Sequence, residues 1–194
     1  MTITRKLLAT LLALGVLGGL SGAASLSAFR SDSDNVGQTF AAGTVHISDD
    51  DVNVAMFNLA GQKPGATSER CIRVTYAGSL GAEVRLHTDS AIGALGPYLN
   101  LTITPGSQSS SAFPSCTGFS PGAEGALFDG TLAGFGGAYS NWATGLVDQG
   151  PGAASTWAEG DSVVYRFTVS VRDDDAARNL STGTHRFLVE ARNE

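Results

Sequence analysis

Residues 163–171 have the sequence Val-Val-Tyr-Arg-Phe-Thr-Val-Ser-Val and contain the longest alternating run of apolar and polar side chains in the chain. Alternation with a period of two places apolar residues on one face of an extended strand and polar residues on the other. One face carries Val163, Tyr165, Phe167, Val169 and Val171, and the other carries Arg166, Thr168, Ser170 and Arg172. The run predicts a central strand with its apolar face on the core.

Shorter runs with the same period lie before and after this strand. They cover Val52 to Leu59, Ile72 to Tyr76, Val84 to Leu86, Leu99 to Ile103 and Thr184 to Arg192. Turn sequences separate them, because proline fixes φ and glycine accepts positive φ. Such turns are expected at Lys63-Pro64-Gly65 and at Pro105-Gly106, which should stop the run before it.

The region after residue 105 is harder to assign. Leu127 to Phe135 holds a further candidate strand, and Gly136 to Gly160 is rich in Gly, Ala and Ser. We expect loops there, with one short helix around Tyr139 to Gly145.

The pattern as a whole contains about eight or nine strands, no long helix and no βαβ rhythm. It predicts an all-β fold, a two-sheet antiparallel sandwich of jelly-roll type. An immunoglobulin-like sandwich is the structural alternative. Residues 29–194 are assigned to this single domain, with a variable, loop-rich insertion at 105–160.

Residues 1–28 have the three-part layout of a secretory signal peptide. Arg5 and Lys6 form the basic start, Leu7 to Leu20 is apolar, and small residues follow. We expect this segment to be a signal helix that signal peptidase cleaves after Ser27 or Ala28. The alternative is a retained anchor, but the apolar run is shorter than a membrane span needs.

The charge of the chain limits its partners. The 18 acidic and 12 basic residues give a formal net charge of −6, and loss of Arg5 and Lys6 with the signal makes the mature chain still more acidic. An acidic surface argues against nucleic acid and against anionic lipid. We expect contact with a membrane only through the signal before cleavage, and a secreted, extracellular or cell-surface location.

The two cysteines, Cys71 and Cys116, both lie in the part expected to be exported. An even count in an oxidising compartment predicts one disulfide. Two free buried thiols are the alternative. Zinc held by two cysteines alone is disfavoured, because structural zinc sites use four ligands.

The sequence contains few residues in patterns that could bind a metal ion. No His-Glu-x-x-His motif is present. Three histidines lie in strand patterns at positions expected to face solvent, and they are the only zinc candidates: His46, His87 and His185. Three acidic clusters are candidates for calcium, although none has the spacing of a calcium loop: Asp32/Asp34, Asp49/Asp50/Asp51 and Asp173/Asp174/Asp175. We expect no cofactor, with zinc and calcium as the alternatives.

Four aromatic residues lie in or next to the glycine-rich region. Trp142, Trp157, Tyr139 and Phe135 have rings that could stack on sugars, or they could close an open end of the sandwich. We expect the second arrangement.

The start of the expected mature chain resembles that of the TasA/camelysin family. The residues that carry the resemblance are Ala28-Phe29, a following Ser-Asp, and Thr39-Phe-Ala-Ala-Gly-Thr-Val-His-Ile47. Lys63-Pro64-Gly65 after Asn58-Leu59 is similar to a turn of that family, whereas Ala77 stands where it usually has asparagine. The strands from Tyr165 to Val171 and from Phe187 to Arg192 resemble those of actinobacterial relatives, and 107–160 matches poorly.

This resemblance implies a secreted bacterial β-sandwich protein of a family in which several members build extracellular, biofilm-matrix fibres. It also implies an alternative, since camelysins have been classed as metallo-endopeptidases. We expect a structural role rather than an enzymatic one. A cell-surface module that binds glycan or cations is a further alternative.

The physical route to a fibre is β-strand addition, in which an extended segment pairs with an open sheet edge of another copy. The candidate donor is the segment 29–38, and the alternative is an unstructured terminus. Phe29, Val36 and Phe40 are the candidate assembly residues. The predicted partner is therefore the chain itself, in filaments.

Overall fold

The fold is known from a computed structural model that describes residues 43–193, except 53, 60, 111 and 152–155. The predicted signal peptide, the segment 29–38 and the candidate assembly residues Phe29, Val36 and Phe40 lie outside the described residues. No helix in the described part of the chain is long and apolar enough to cross a membrane.

The described residues form nine strands and one short α-helix, α1 (Leu132–Ala138). Single 3-10 turns occur at Gly96–Tyr98, Trp142–Thr144 and Asp175–Ala177. The strands, in chain order, are β1 (Ile47–Asp49), β2 (Thr67–Tyr76), β3 (Glu83–Thr88), β4 (Leu99–Gln108), β5 (Phe119–Pro121), β6 (Phe128–Thr131), β7 (Leu146–Asp148), β8 (Ser162–Val171) and β9 (Phe187–Arg192).

These strands form two antiparallel sheets. In the first sheet the order is β1-β2-β8-β4, and β5 and β6 both pair with the outer side of β4. In the second sheet the order is β7-β3-β9. The chain passes from one sheet to the other between β2 and β3, between β3 and β4, and again around β7, β8 and β9. The predicted all-β sandwich of two antiparallel sheets is confirmed.

The core lies between the two sheets. Val163, Tyr165, Phe167 and Val169 of β8 are all buried, as their alternation predicts, and β8 is the central strand of its sheet. The ring of Phe167 lies 5.0 Å from that of Phe187 on β9, so side chains of both sheets interdigitate.

Helix α1 closes one part of this core. Thr131 caps it by accepting a hydrogen bond from the backbone N–H of Gly134 at 3.0 Å. Leu132 and Phe135, three residues apart on one face, are buried. The sequence prediction of a strand from Leu127 to Phe135 was therefore right only for its first half, since the chain turns into a helix at Leu132.

Two further predictions were wrong. The described residues of Val52 to Leu59 form no strand; Val52 has a φ of +52°, and Val54 N–H donates to the Asp51 carbonyl in a turn. Pro105-Gly106 does not stop β4, which continues to Gln108. On the outer side of β4, β6 pairs with residues 100–103 and β5 pairs with residues 106–108. Pro105 lies in the gap between these two neighbours, so its nitrogen does not have to donate a ladder hydrogen bond.

One buried polar contact links the sheets. The Tyr165 hydroxyl on β8 donates to a carboxylate oxygen of Asp148 on β7, and the other oxygen of that carboxylate accepts from Gly150 N–H at 2.9 Å. Tyr165 is fully buried and Asp148 is 3% exposed. Burial raises the pKa of Tyr165 well above its ordinary value, and the nearby Asp148 carboxylate adds to the increase.

This pair predicts a loss of stability at alkaline pH. Above about pH 10 the unfolded chain releases the tyrosine proton while the folded chain keeps it, so the free energy of unfolding should fall by about 1.4 kcal/mol per pH unit from this group. Urea titrations between pH 8 and pH 11 should show this slope only above about pH 10. Tyr165→Phe should flatten it, and an unchanged slope in that variant would contradict the prediction.

Candidate functional site

The three histidines do not lie in one environment. His46 is exposed just before β1, and His185 is half-buried before β9, with its ring 5.6 Å from that of Phe187. His87 on β3 is only 7% exposed, and its Nε2 lies 3.0 Å from Oε2 of Glu190 on β9. The prediction that all three face solvent is wrong for His87.

The segment after α1 contacts β3, and its Trp142 ring lies over Arg85, which shares a face of the strand with His87. Thr88 N–H donates to the Tyr139 carbonyl at 2.9 Å, and Arg85 Nη1 donates to the carbonyls of Trp142 and Ala143 at 3.1 Å each. Asn141 caps the 3-10 turn Trp142–Thr144 that carries these carbonyls. This cover lies on the face that alternation alone assigns to solvent.

The donor set does not fit a catalytic zinc ion. Such a site needs three protein ligands around one open position. Among the residues that the structure describes, no three His, Cys, Asp or Glu side chains are grouped to hold a metal ion. His87 and Glu190 form a pair, and Glu190 also bonds Arg192 at 2.7 Å.

The described acidic clusters accept hydrogen bonds from backbone N–H groups, which are distant in sequence for Asp50 and local for Asp174. Asp50 accepts from Arg73 N–H at 2.8 Å and from Phe113 N–H at 3.3 Å, and Asp174 accepts from Ala176 N–H at 2.9 Å. Burial raises the pKa of Asp49 above its ordinary value, with its acidic neighbours adding to the shift. Asp32 and Asp34 lie outside the described residues.

The aromatic residues divide into core and surface. Trp157 and Phe135 are fully buried, and Phe135 packs with Phe128, Tyr139 and Phe187. Trp142 is half-buried, and the guanidinium carbons of Arg85 and Arg192 lie 5.1 and 4.6 Å from its ring centroid. Most of this set therefore closes the sandwich rather than presenting rings to a ligand.

The structure joins Cys71 and Cys116 in a disulfide, with their Cα atoms 5.1 Å apart. The loop that carries Cys116 lies against the border of β2, where Cys71 N–H donates to the Pro114 carbonyl at 3.1 Å. Gln108 holds the same loop through the carbonyls of Ser115 and Thr117, both at 2.9 Å. The disulfide thus fixes a cover over one part of a sheet edge.

The remaining sheet edges differ in length. The edge strands β1, β5 and β7 have three residues each and β6 has four. β9 has six, and within the part of the chain that the structure describes it pairs with β3 alone. Sequence alternation found β9 but could not show that it is an edge strand, because edge and central strands share the same period.

Comparison with known proteins gives one family. Residues 2–96 match the family model described as camelysin metallo-endopeptidase. No curated protein matches the chain. The match covers the segment where the resemblance to this family begins, and it includes β1, β2 and β3.

Proposed function

Over residues 2–96 the chain belongs to the TasA/camelysin family, and from this premise we propose that it is a secreted structural protein that assembles into extracellular fibres. In this proposal the segment 29–38 leaves its own subunit and adds as a strand to a sheet edge of the next one. Main-chain hydrogen bonds supply affinity, and side-chain pockets supply specificity.

The observation that carries the proposal is where the chain enters the sandwich. Ala77 N–H donates to the His46 carbonyl at 2.9 Å, and Leu80 N–H donates to the Thr44 carbonyl at 3.2 Å. The chain then continues into β1, which is the border strand of its sheet. A segment attached at a border, rather than between two strands, is suited to reach a neighbouring molecule.

The direction of such a contact determines the product. A segment that leaves one surface and binds a different surface of the next copy makes a head-to-tail contact, which propagates when the rotation does not close a ring. This geometry accounts for a filament rather than a dimer.

Deletion of 29–38 from the mature chain tests the proposal. The deleted protein should remain folded but form no filaments, because the donor strand is missing while β1 to β9 are kept. Electron microscopy and circular dichroism of the purified protein measure the two properties. A Ser31→Ala/Ser33→Ala variant, which keeps the backbone and the apolar residues of the segment, should still form filaments.

Undiminished filaments after the deletion would overturn the proposal. The family description supports one rival, a secreted metallo-endopeptidase. Stoichiometric zinc in the pure protein, with casein hydrolysis that is lost in His46→Ala, would favour this rival instead.

A further inference from the structure

Two arginines of the first sheet, Arg73 on β2 and Arg166 on β8, alternate with core residues and so lie on the face that points away from the core. Arg166 is paired in register with Cys71, and Arg73 is paired with Val164. The two arginines are therefore diagonal neighbours on adjacent strands. Such neighbours lie about 7–8 Å apart, a distance that long side chains span.

The two guanidinium groups lead to the same place on this face. Arg73 Nη2 donates to the Gln108 carbonyl at 3.1 Å, and the guanidinium carbon of Arg166 lies 4.7 Å from the Phe119 ring centroid. Gln108 on β4 and Phe119 on β5 are direct partners in their strand pair. We call this place, formed by Arg73, Arg166, Gln108 and Phe119, the arginine site.

The positive charges of the arginine site are not balanced by the described part of the chain. Neither Arg73 nor Arg166 forms an ion pair with a carboxylate there, whereas four other arginines each do. Both side chains are half-buried, and Arg166 Nε is buried without a hydrogen-bond partner. Burial of unpaired charge is costly, and two like charges side by side add to the cost. An anion bound between the two groups would lower it.

The outer ends of the guanidinium groups can be reached from solvent. No described residue accepts a hydrogen bond from the two Nη atoms of Arg166, and Nε is the one nitrogen of that group that is both buried and unpartnered. The Nη atoms are therefore accessible. A guanidinium group presents its N–H donors as a planar fork, which matches the two oxygens of a carboxylate.

The arginine site is held in place before any ligand arrives. Cys71, the register partner of Arg166, is joined by the disulfide to Cys116. Gln108 Nε2 donates to the carbonyls of Ser115 and Thr117, which flank Cys116. A site fixed in this way loses less conformational entropy when it binds a ligand.

The surroundings of the site favour a ligand that carries hydroxyl groups and a single negative charge. The Thr75 hydroxyl donates to the Ser162 hydroxyl at 3.3 Å, one row along the same face from Arg73. Hydroxyl groups can both donate and accept, as the hydroxyls of a sugar require. The net charge of −6 repels a dianion such as phosphate more than it repels a monoanion.

From these observations we propose that the arginine site binds the carboxylate of an acidic sugar, a uronic acid. Arg73 and Arg166 hold the carboxylate, and the neighbouring hydroxyl side chains contact the sugar. The inference goes beyond the proposed fibre assembly, which makes no use of this face of the first sheet.

Isothermal titration calorimetry of the purified mature protein with glucuronate tests the site. Glucose, acetate and phosphate, at equal ionic strength, are the comparison ligands. Glucuronate should bind about tenfold more tightly than each of them, because it alone combines one carboxylate with sugar hydroxyls. Absence of glucuronate binding, or equal binding of glucose, acetate or phosphate, would overturn the inference.

Two variants place the binding at the arginine site. Arg73→Lys and Arg166→Lys keep the charge but remove the planar fork, so each should weaken glucuronate binding about tenfold. Arg178→Lys is the matched control, because Arg178 is exposed and already paired with Asp175, and it should bind as the wild type does. Circular dichroism checks that each variant is folded. Wild-type affinity in both site variants, or an equal loss in Arg178→Lys, would contradict the assignment.

Discussion

Replacing Phe135 with alanine is expected to lower the free energy of unfolding by about 3–5 kcal/mol. Phe135 is fully buried, and its ring centroid lies 5.2 Å from that of Phe128, 5.1 Å from Tyr139 and 5.6 Å from Phe187. It therefore connects α1, β6 and β9, and alanine would leave a cavity where these elements meet. Urea unfolding followed by the fluorescence of the buried Trp157 measures the change.

Phe135→Leu is the matched control, because it keeps most of the apolar volume and should cost clearly less than alanine. A loss below about 1 kcal/mol in Phe135→Ala would contradict the packing described here, since cavities of this size in well-packed cores cost more.

The second large effect is expected from the disulfide. The double variant Cys71→Ala/Cys116→Ala should lose about 4 kcal/mol, because the bond closes a loop of 45 residues and restricts the unfolded chain. The wild-type protein unfolded in the presence of a reductant should show the same loss. Equal stability of the variant and the oxidised wild type would contradict the prediction.

The disulfide variant should also change solubility. Without the bond, the loop that places Pro114 over Cys71 N–H is held by hydrogen bonds, such as those from Gln108 and from Phe113 N–H to Asp50, so the border of β2 opens more easily. Light scattering should then show more association than in the oxidised protein, because an uncovered edge is a site of strand pairing.

The sandwich could be predicted because the alternation of apolar and polar residues indicates a strand with one buried face. β8 has this pattern from Tyr165 onward, and Tyr165, Phe167 and Val169 are buried as expected, whereas Val164 is buried at a position that alternation assigns to the other face. The same rule failed at Val52 to Leu59, where apolar residues also alternate. Val52 has a φ of +52°, and Asp50 and Pro114 accept from the Arg73 and Cys71 N–H groups of β2 beyond β1, features that no local sequence pattern reveals.

The helix α1 and the environment of His87 were missed for a related reason. The sequence predicted a strand up to Phe135 and loop from Gly136, yet tertiary packing of Leu132 and Phe135 stabilises a helix in Leu-Ala-Gly-Phe-Gly-Gly-Ala. His87 is on the polar side of its strand, and only the fold brings Glu190 of β9 next to it and the segment from Tyr139 to Thr144 against β3. The disulfide could be predicted because cysteine count and compartment limit the pairing to one possibility.

The pairing of strands that lie far apart in the sequence has a consequence for the timing of folding. The central pairing of β2 with β8 joins Thr75 to Ser162, which are 87 residues apart. Contacts of such long range form slowly, because closing the long intervening loop costs conformational entropy before the contact stabilises the fold. The first sheet cannot be completed until the chain up to Val171 is available, because β8 lies between β2 and β4. Such a delay is compatible with the export that the three-part layout of residues 1–28 predicts.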